Sequence, residues 1–170
     1  TKLPIITTVM SNIGLENYLL SKLKIKLIRT SVGDINVINA MQKHNSILGG
    51  EQSGHIILSE YSKTGDGILA ALKVMEIISR LKKPTSLIFN LYKNFPQIKI
   101  NIPYIKISKN CLKYIKNLNN KKIKDKNIRL LIRLSGTEPL IRILVEGKDL
   151  KLVKAQAKII EKDIRINLGK

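Results

Sequence analysis

Apolar and polar residues follow two periods along this chain, and the changes between them lay out its elements. Pro4 to Val9 is a short apolar run of strand type. Ser11 can cap a helix that carries Leu15, Leu19 and Leu23 on one face at a spacing of four. Ile25 to Ile28 predicts a second strand, and Asp34 caps a second helix with Val37, Ile38 and Met41 turned inward. Strand-like Ile47-Leu48 and Ile56-Ile57-Leu58 enclose a glycine-rich loop. Asp66 opens the longest apolar helix, with Ile68, Leu72, Met75 and Ser79 on one stripe and Val74, Ile77 and Ile78 widening it. Pro84 ends that run, and Thr85 can cap a short helix through Tyr92. Strands alternating with helices predict an α/β layer rich in parallel pairing.

Phe95-Pro96 marks a boundary, because the pattern changes after it. A strand from Gln97 to Ile102 precedes a polar helix around Ser108 to Leu118, then a basic stretch, then two strands, Ile128 to Leu134 and Leu140 to Glu146. From Asp149 to about Asn167, Leu150, Val153, Ala157, Ile160 and Ile164 recur at three and four, which is one buried helical stripe. Lys151, Lys154, Lys158, Lys162 and Arg165 lie largely off it, as a solvated face would. The expected fold class is α/β. A mixed three-layer α/β domain over 1–95 is followed by a small α+β domain over 96–170, a helix-covered antiparallel sheet.

Composition narrows the class. A hydrophobic fraction of 44% with only 4% aromatics predicts cores built mainly from Ile and Leu. The one cysteine, Cys111, excludes an internal disulfide and fits a reducing cytoplasm. No apolar run approaches the ~20 residues that span a bilayer, so a membrane partner is not expected. The net charge of +19 includes a dense run, Lys121-Lys122-Ile123-Lys124-Asp125-Lys126, which could neutralise nucleic-acid phosphates. The lysines are nevertheless spread over the whole chain among Ile and Asn. No basic strand with interleaved aromatics stands out. Nucleic-acid binding is therefore the distant alternative.

Two loops carry candidate chemistry. Between the last two strands, Arg133-Leu134-Ser135-Gly136-Thr137-Glu138-Pro139-Leu140-Ile141-Arg142 offers two guanidiniums, two hydroxyls and a glycine-bearing turn. Guanidinium is a planar fork matched to phosphate oxygens, and a Ser-Gly-Thr turn can aim successive amides into one concavity. The upstream loop is Gly49-Gly50-Glu51-Gln52-Ser53-Gly54-His55. There a carboxylate can accept from neighbouring sugar hydroxyls while Ser53 and His55 add donors and acceptors. Either loop alone could be an ordinary solvated turn. Together they suit the two halves of a sugar phosphate.

The sequence resembles the C-terminal half of the α-D-phosphohexomutases, on four segments in order. These are Gly50-Glu51-Gln52-Ser53-Gly54-His55, Thr64-Gly65-Asp66-Gly67-Ile68, Phe95-Pro96-Gln97, and Arg133 to Arg142 running on to Val145-Glu146-Gly147. Gln52 and the Ser-Gly-Thr form of the phosphate loop favour the branch acting on glucosamine phosphates over the phosphomannomutase and phosphoglucomutase branches. The resemblance implies that Glu51, Ser53 and His55 hold the sugar, with His55 a candidate acid or base. It implies that Arg133, Ser135, Gly136, Thr137 and Arg142 grip the phosphate that is not being transferred. It also implies a phosphoserine donor, Mg²⁺ and a hexose bisphosphate activator such as glucosamine 1,6-bisphosphate.

The phosphoserine loop and the acidic magnesium loop of that family belong to its N-terminal half, and neither pattern occurs in this chain. No catalytic nucleophile and no metal site are therefore expected here, and the chain is expected to be part of a longer enzyme whose N-terminal half is its partner. Flexing at Phe95–Gln97 is expected to bring the phosphate loop onto a hexosamine phosphate substrate. Thr30-Ser31-Val32-Gly33-Asp34-Ile35 departs from the family pattern, with Ser31 and Ile35 where cations are usual. Arg29 is one candidate to replace them. A sugar-phosphate-binding remnant without mutase activity stays open as the competing reading.

Overall fold

In the computed structural model, residues 2–120 and 128–168 are described, so the basic run from Lys121 to Lys126 lies outside the described residues. The chain forms two compact units, Thr1–Asn94 and Phe95–Lys170. The fold is mixed α/β, with a mostly parallel sheet in the first unit and an antiparallel one in the second.

Unit 1 is built on a four-stranded sheet of order β2-β1-β3-β4. Its strands are β1 (Ile5–Thr8), β2 (Leu27–Thr30), β3 (Leu48–Gly50) and β4 (Ile56–Leu58). β1 runs parallel to both β2 and β3, and β4 returns antiparallel to β3 through the glycine-rich loop. Helix α2 (Asp34–Lys43) packs Val37 and Met41 on Ile6 and Ile57, the centre of this core. Gly49 permits that approach. A Cβ there would collide with Met41 Sδ and sit 2.9 Å from Val37 Cγ1.

Two helices differ from the pattern read in the sequence. The first is capped by Asn12, whose side chain accepts from the Gly14 amide, and α1 (Ile13–Tyr18) passes into a π turn over Leu19–Leu23. The wider turn takes Leu23 off the stripe, so Leu19 is buried and Leu23 is exposed. In α3 (Gly67–Leu81) Asp66 caps as expected, accepting from the Leu69 amide at 2.9 Å. Its stripe is turned the other way. Val74, Ile77 and Ile78 are half-buried, whereas Ile68, Leu72, Met75 and Ser79 face outward. A short α4 (Thr85–Phe89) buries Ile88.

Unit 2 is a three-stranded antiparallel sheet, order β5-β7-β6, of β5 (Gln97–Pro103), β6 (Ile128–Leu134) and β7 (Leu140–Gly147). Helices α5 (Lys109–Asn120) and α6 (Leu150–Leu168) cover one face. Strict alternation sends Ile98, Ile100 and Ile102 of β5, with Ile141, Ile143 and Val145 of β7, into the core beneath them. From α6 come Val153, Ala157, Ile160 and Ile164, while Leu150, in the first turn, stays exposed. The edge strand β6 is closed by Asn119. Its amide side chain accepts from Ile132 N at 2.9 Å and donates to Ile132 O at 2.6 Å.

The opposite face of this sheet carries a buried carboxylate. Glu146 is 0% exposed; it accepts from Arg129 at 2.9 Å and from the Gln97 side chain at 3.0 Å. The Gly147 amide donates to Pro96 O at 3.2 Å. Pro96 and Gln97, expected to flex, are thus bonded into unit 2, and the division between units falls before Phe95. Glu146→Ala removes the carboxylate but keeps the buried donors that faced it. It should lower the protection free energy of β7 amides in hydrogen exchange by about 2–3 kcal/mol. Glu146→Gln should cost less, since it keeps an acceptor. Unchanged protection in both would remove the cluster from the stability of unit 2.

Candidate functional site

The glycine-rich loop of residues 49–55 lies where a parallel sheet ends. β1, β2 and β3 all run out at the same edge, and Thr30, Gly33 and Glu51 lie at or just beyond their carboxyl ends, the usual place for ligands in open α/β sheets. Gly33 has φ +120°, a conformation open to glycine, and from it the amide donates to Glu51 Oε2 at 3.3 Å. The other oxygen, Oε1, lies 3.1 Å from His55 Nδ1. Glu51 also closes its own turn, its amide donating to His55 O at 3.0 Å while its carbonyl accepts from Gly54 N at 3.1 Å.

The Glu51 side chain is 10% exposed and that of His55 56%. Burial pushes the Glu51 carboxyl up, but hydrogen bonds from Ser53, His55 and the Gly33 amide, with the charge of His55, outweigh it and hold the group below its ordinary value. A carboxylate only accepts, so Nδ1 is the protonated nitrogen of His55 and Nε2 is its second ring position. Each carboxylate oxygen has lone pairs beyond those used here, so Glu51 can still accept from a ligand hydroxyl. Ser53 Oγ lies 3.4 Å from the same Nδ1. The structure thus brings Glu51, Ser53 and His55 into one cluster. Gly65 adjoins it: a Cβ there would lie 3.6 Å from the His55 ring.

Ser31 and Ile35 are both exposed beside this cluster. Arg29 does not stand in for the cations they displace. Its guanidinium donates to Glu16 at 2.6 Å and to Ser11 O at 3.3 Å.

In unit 2 the loop of residues 135–139 is a hairpin between β6 and β7. Ser135 N donates to Leu140 O at 2.8 Å, Leu140 N to Glu138 O at 2.8 Å, and Tyr104 N to Pro139 O at 3.0 Å, so the stem is fixed. Gly136 and Thr137 occupy the open tip, where no acceptor among the described residues takes their amides and a Cβ on Gly136 would meet nothing within 4 Å. Arg133 and Arg142 are direct partners across the two strands. Like charges placed opposite repel. Burial, and then the charge of Arg142, push the Arg133 guanidinium below its ordinary value. Arg142 is paired with Glu138, and its Nε is buried without a partner among the described residues.

Sequence reasoning passed over Asn101. It is the register partner of Arg142 on β5, which puts Asn101, Arg142 and Arg133 in one row across the sheet. The signal was present in the alternation of Gln97, Lys99 and Asn101 with Ile98, Ile100 and Ile102. Among the described residues there is no group of three or more His, Cys, Asp or Glu that could hold a metal.

Comparison with known proteins follows the same division. The profile described as Phosphoglucomutase/phosphomannomutase, alpha/beta/alpha domain III, matches residues 1–95, and the C-terminal domain of the same family matches residues 106–162. A phosphoglucosamine mutase of Fusobacterium nucleatum is 44% identical over 94% of this chain and 37% of that protein. One from Campylobacter fetus is 46% identical over 95% of this chain and 36% of that protein. The chain therefore spans little more than a third of the length of these curated relatives. Among solved structures, a variant of Aspergillus fumigatus N-acetylphosphoglucosamine mutase in complex with glucose 1,6-bisphosphate superposes with a TM-score of 0.76 at 17% identity, over 97% of this chain and 38% of that one. A Burkholderia thailandensis phosphoglucomutase/phosphomannomutase family protein gives 0.73 at 20% identity, over 98% and 37%. At that identity these two structures speak for the fold. With both of its units matched in order, the chain belongs to the phosphoglucomutase/phosphomannomutase family.

Proposed function

We propose that this chain is the sugar- and phosphate-binding part of a phosphoglucosamine mutase, which interconverts glucosamine 6-phosphate and glucosamine 1-phosphate through a bisphosphate. The glucosamine branch is favoured because relatives of that name match most of this chain at 44% and 46% identity. The observation that carries the reading is the Arg133–Arg142 pair, two guanidiniums facing each other beside the unclaimed amides of Gly136 and Thr137. A phosphate dianion is the natural occupant of such a place. Glu51, Ser53 and His55 then hold sugar hydroxyls, a grip that does not depend on which phosphate is reacting.

Phosphoryl transfer is mainly positioning and charge stabilisation. The mutase cycle needs the idle phosphate held while the other is donated, and the sugar released to turn round between the two transfers. Ser135, Gly136, Thr137, Arg133 and Arg142 take the first task; Glu51, Ser53 and His55 take the second. In this reading the phosphoserine and the Mg²⁺ site belong to polypeptide outside this chain, and a hexose bisphosphate is the activator of the cycle. Substrates this polar do not cross bilayers, so a cytoplasmic location fits. No helix among the described residues is long and apolar enough to cross a membrane.

Titration calorimetry separates the two grips. Glu51→Gln keeps shape and loses the charge that accepts from hydroxyls, so it should weaken glucosamine 6-phosphate about tenfold, the worth of one charge-assisted bond. It should leave inorganic phosphate unaffected. Equal loss for both ligands would remove Glu51 from sugar recognition. Tighter binding of glucose or mannose 6-phosphate than of glucosamine 6-phosphate would transfer the chain to another branch of the family.

A further inference from the structure

Two rows of polar side chains cross the face of the unit 2 sheet that lies opposite its helices. One is Gln97–Glu146–Arg129 and the other Asn101–Arg142–Arg133, both set by the same register of β5, β7 and β6. They share a plan: a carboxamide on β5, a charged group on the central strand β7, and an arginine on β6. In the first row the bond from β5 to β7 is made. The Gln97 carboxamide donates to Glu146 at 3.0 Å. In the second row it is not. Asn101 is exposed, and its carboxamide has no hydrogen bond among the described residues. Its register partner Arg142 has a buried Nε that lacks an acceptor as well.

Two groups of complementary kind thus stand unsatisfied on one strand pair. A carboxamide oxygen accepts, a guanidinium Nε–H donates, and a buried donor without an acceptor is costly. Direct cross-strand partners have Cβ atoms about 4.5–5.5 Å apart, a span that two such side chains can bridge. In the free chain the guanidinium is held instead through Nη2 by Glu138, whose side chain is 53% exposed. An ion pair so exposed is weak, and a phosphate dianion offers the guanidinium the stronger partner. Nε is the guanidinium nitrogen nearest the strand. When both Nη atoms turn to an anion, Nε is left for a neighbour on the sheet. We propose that Asn101 is the positioning residue of Arg142: its carboxamide oxygen accepts from Nε once phosphate draws the guanidinium off Glu138, and so fixes the fork end-on to the anion. The proposal rests on the phosphate grip of the proposed function and extends that grip to a residue outside the hairpin.

A double-mutant cycle on the 170-residue chain tests it, read by calorimetric titration with glucosamine 6-phosphate. Asn101→Ala should weaken binding about fivefold, the worth of one hydrogen bond. In an Arg142→Ala background the same change should bring no further loss, because Asn101 acts through that arginine. Asn101→Gln, which puts the carboxamide of the first row into the second, should keep most of the affinity. A spectroscopic readout separates positioning from mere support of the fold. The Nε–H resonance of Arg142, identified by its absence in Arg142→Ala, should exchange more slowly with ligand bound, and Asn101→Ala should remove that protection. Asn101→Val, a strand-favouring side chain without an acceptor, repeats the cycle should the alanine variant fail to fold. Equal losses from Asn101→Ala in both backgrounds, or unchanged affinity in the chain that keeps Arg142, would overturn the proposal and leave the phosphate grip standing. No loss from Arg142→Ala itself would overturn that arginine's part in the grip, and the proposal with it.

Discussion

Arg133→Ala should weaken glucosamine 6-phosphate binding by about 1.5–3 kcal/mol, the range for a charge-assisted bond, and should do so without destabilising the free chain. Both halves of that expectation come from one geometry. Arg133 and Arg142 are direct cross-strand partners, and like charges so placed cost stability until an anion arrives between them. The Arg133 guanidinium is partly desolvated and faces a like charge, and a dianion relieves that repulsion. Arg142→Ala should weaken binding less, because in the free chain Arg142 is held by Glu138, and ligand must compete with that pair. Lys158→Ala, on α6, should change affinity little at moderate salt. Calorimetric titration with glucosamine 6-phosphate reads the affinities, and thermal unfolding of the same samples reads stability. A loss of similar size for all three variants would indicate diffuse attraction by the +19 charge and return nucleic acid as a partner. A large loss of stability in Arg133→Ala would mean that the arginine is structural.

Much of this was legible in the residues because the two signals are local. Alternation fixes which face of a strand meets the core, and Gln97 to Ile102 alternates without a break, so unit 2 could be read as a sheet with one covered face. Turn chemistry is local as well: Asp66 caps α3, and the Gly50–His55 loop joins two antiparallel strands. Pairing across the chain is not local. That Arg133 meets Arg142 and Asn101 depends on register, which is set by the whole hairpin and its neighbour. Burial of Glu146 escaped for the same reason, since its partners Arg129 and Gln97 are distant in sequence. The orientation of α3 escaped for another. An apolar stripe favours burial but does not name its neighbour; here Val74, Ile77 and Ile78 are half-buried, whereas Ile68, Leu72 and Met75 face outward. The π turn at Leu19–Leu23 was out of reach of a spacing argument, which assumes a constant number of residues per turn.

The 170-residue chain purified alone should convert no glucosamine 6-phosphate to glucosamine 1-phosphate, a complete loss against a full-length relative. Transfer needs a nucleophile that accepts a phosphoryl group and returns it. The strongest internal candidate is Ser53, which lies in a Ser–His–Glu cluster. The geometry disqualifies it. In a working triad the acid holds one ring nitrogen while the other takes the proton of the serine. Here Glu51 Oε1 and Ser53 Oγ converge on the same nitrogen, Nδ1 of His55, at 3.1 and 3.4 Å. Nδ1–H donates its hydrogen bond to the carboxylate, so Nδ1 has no lone pair with which to take a proton from Ser53. Ser135 fares no better. It stands beside two arginines, which bind a phosphate but do not deprotonate a hydroxyl. The decisive assay supplies Mg²⁺, a hexose bisphosphate and substrate, with and without the N-terminal part of a relative. Turnover by the chain alone would refute the assignment of catalysis to polypeptide outside it. Turnover only with the added part would support the mutase reading. Silence in both would favour the binding remnant, and the first residues to restore would be the cations that Ser31 and Ile35 replace, because Arg29, tied to Glu16, does not take their place beside the sugar loop.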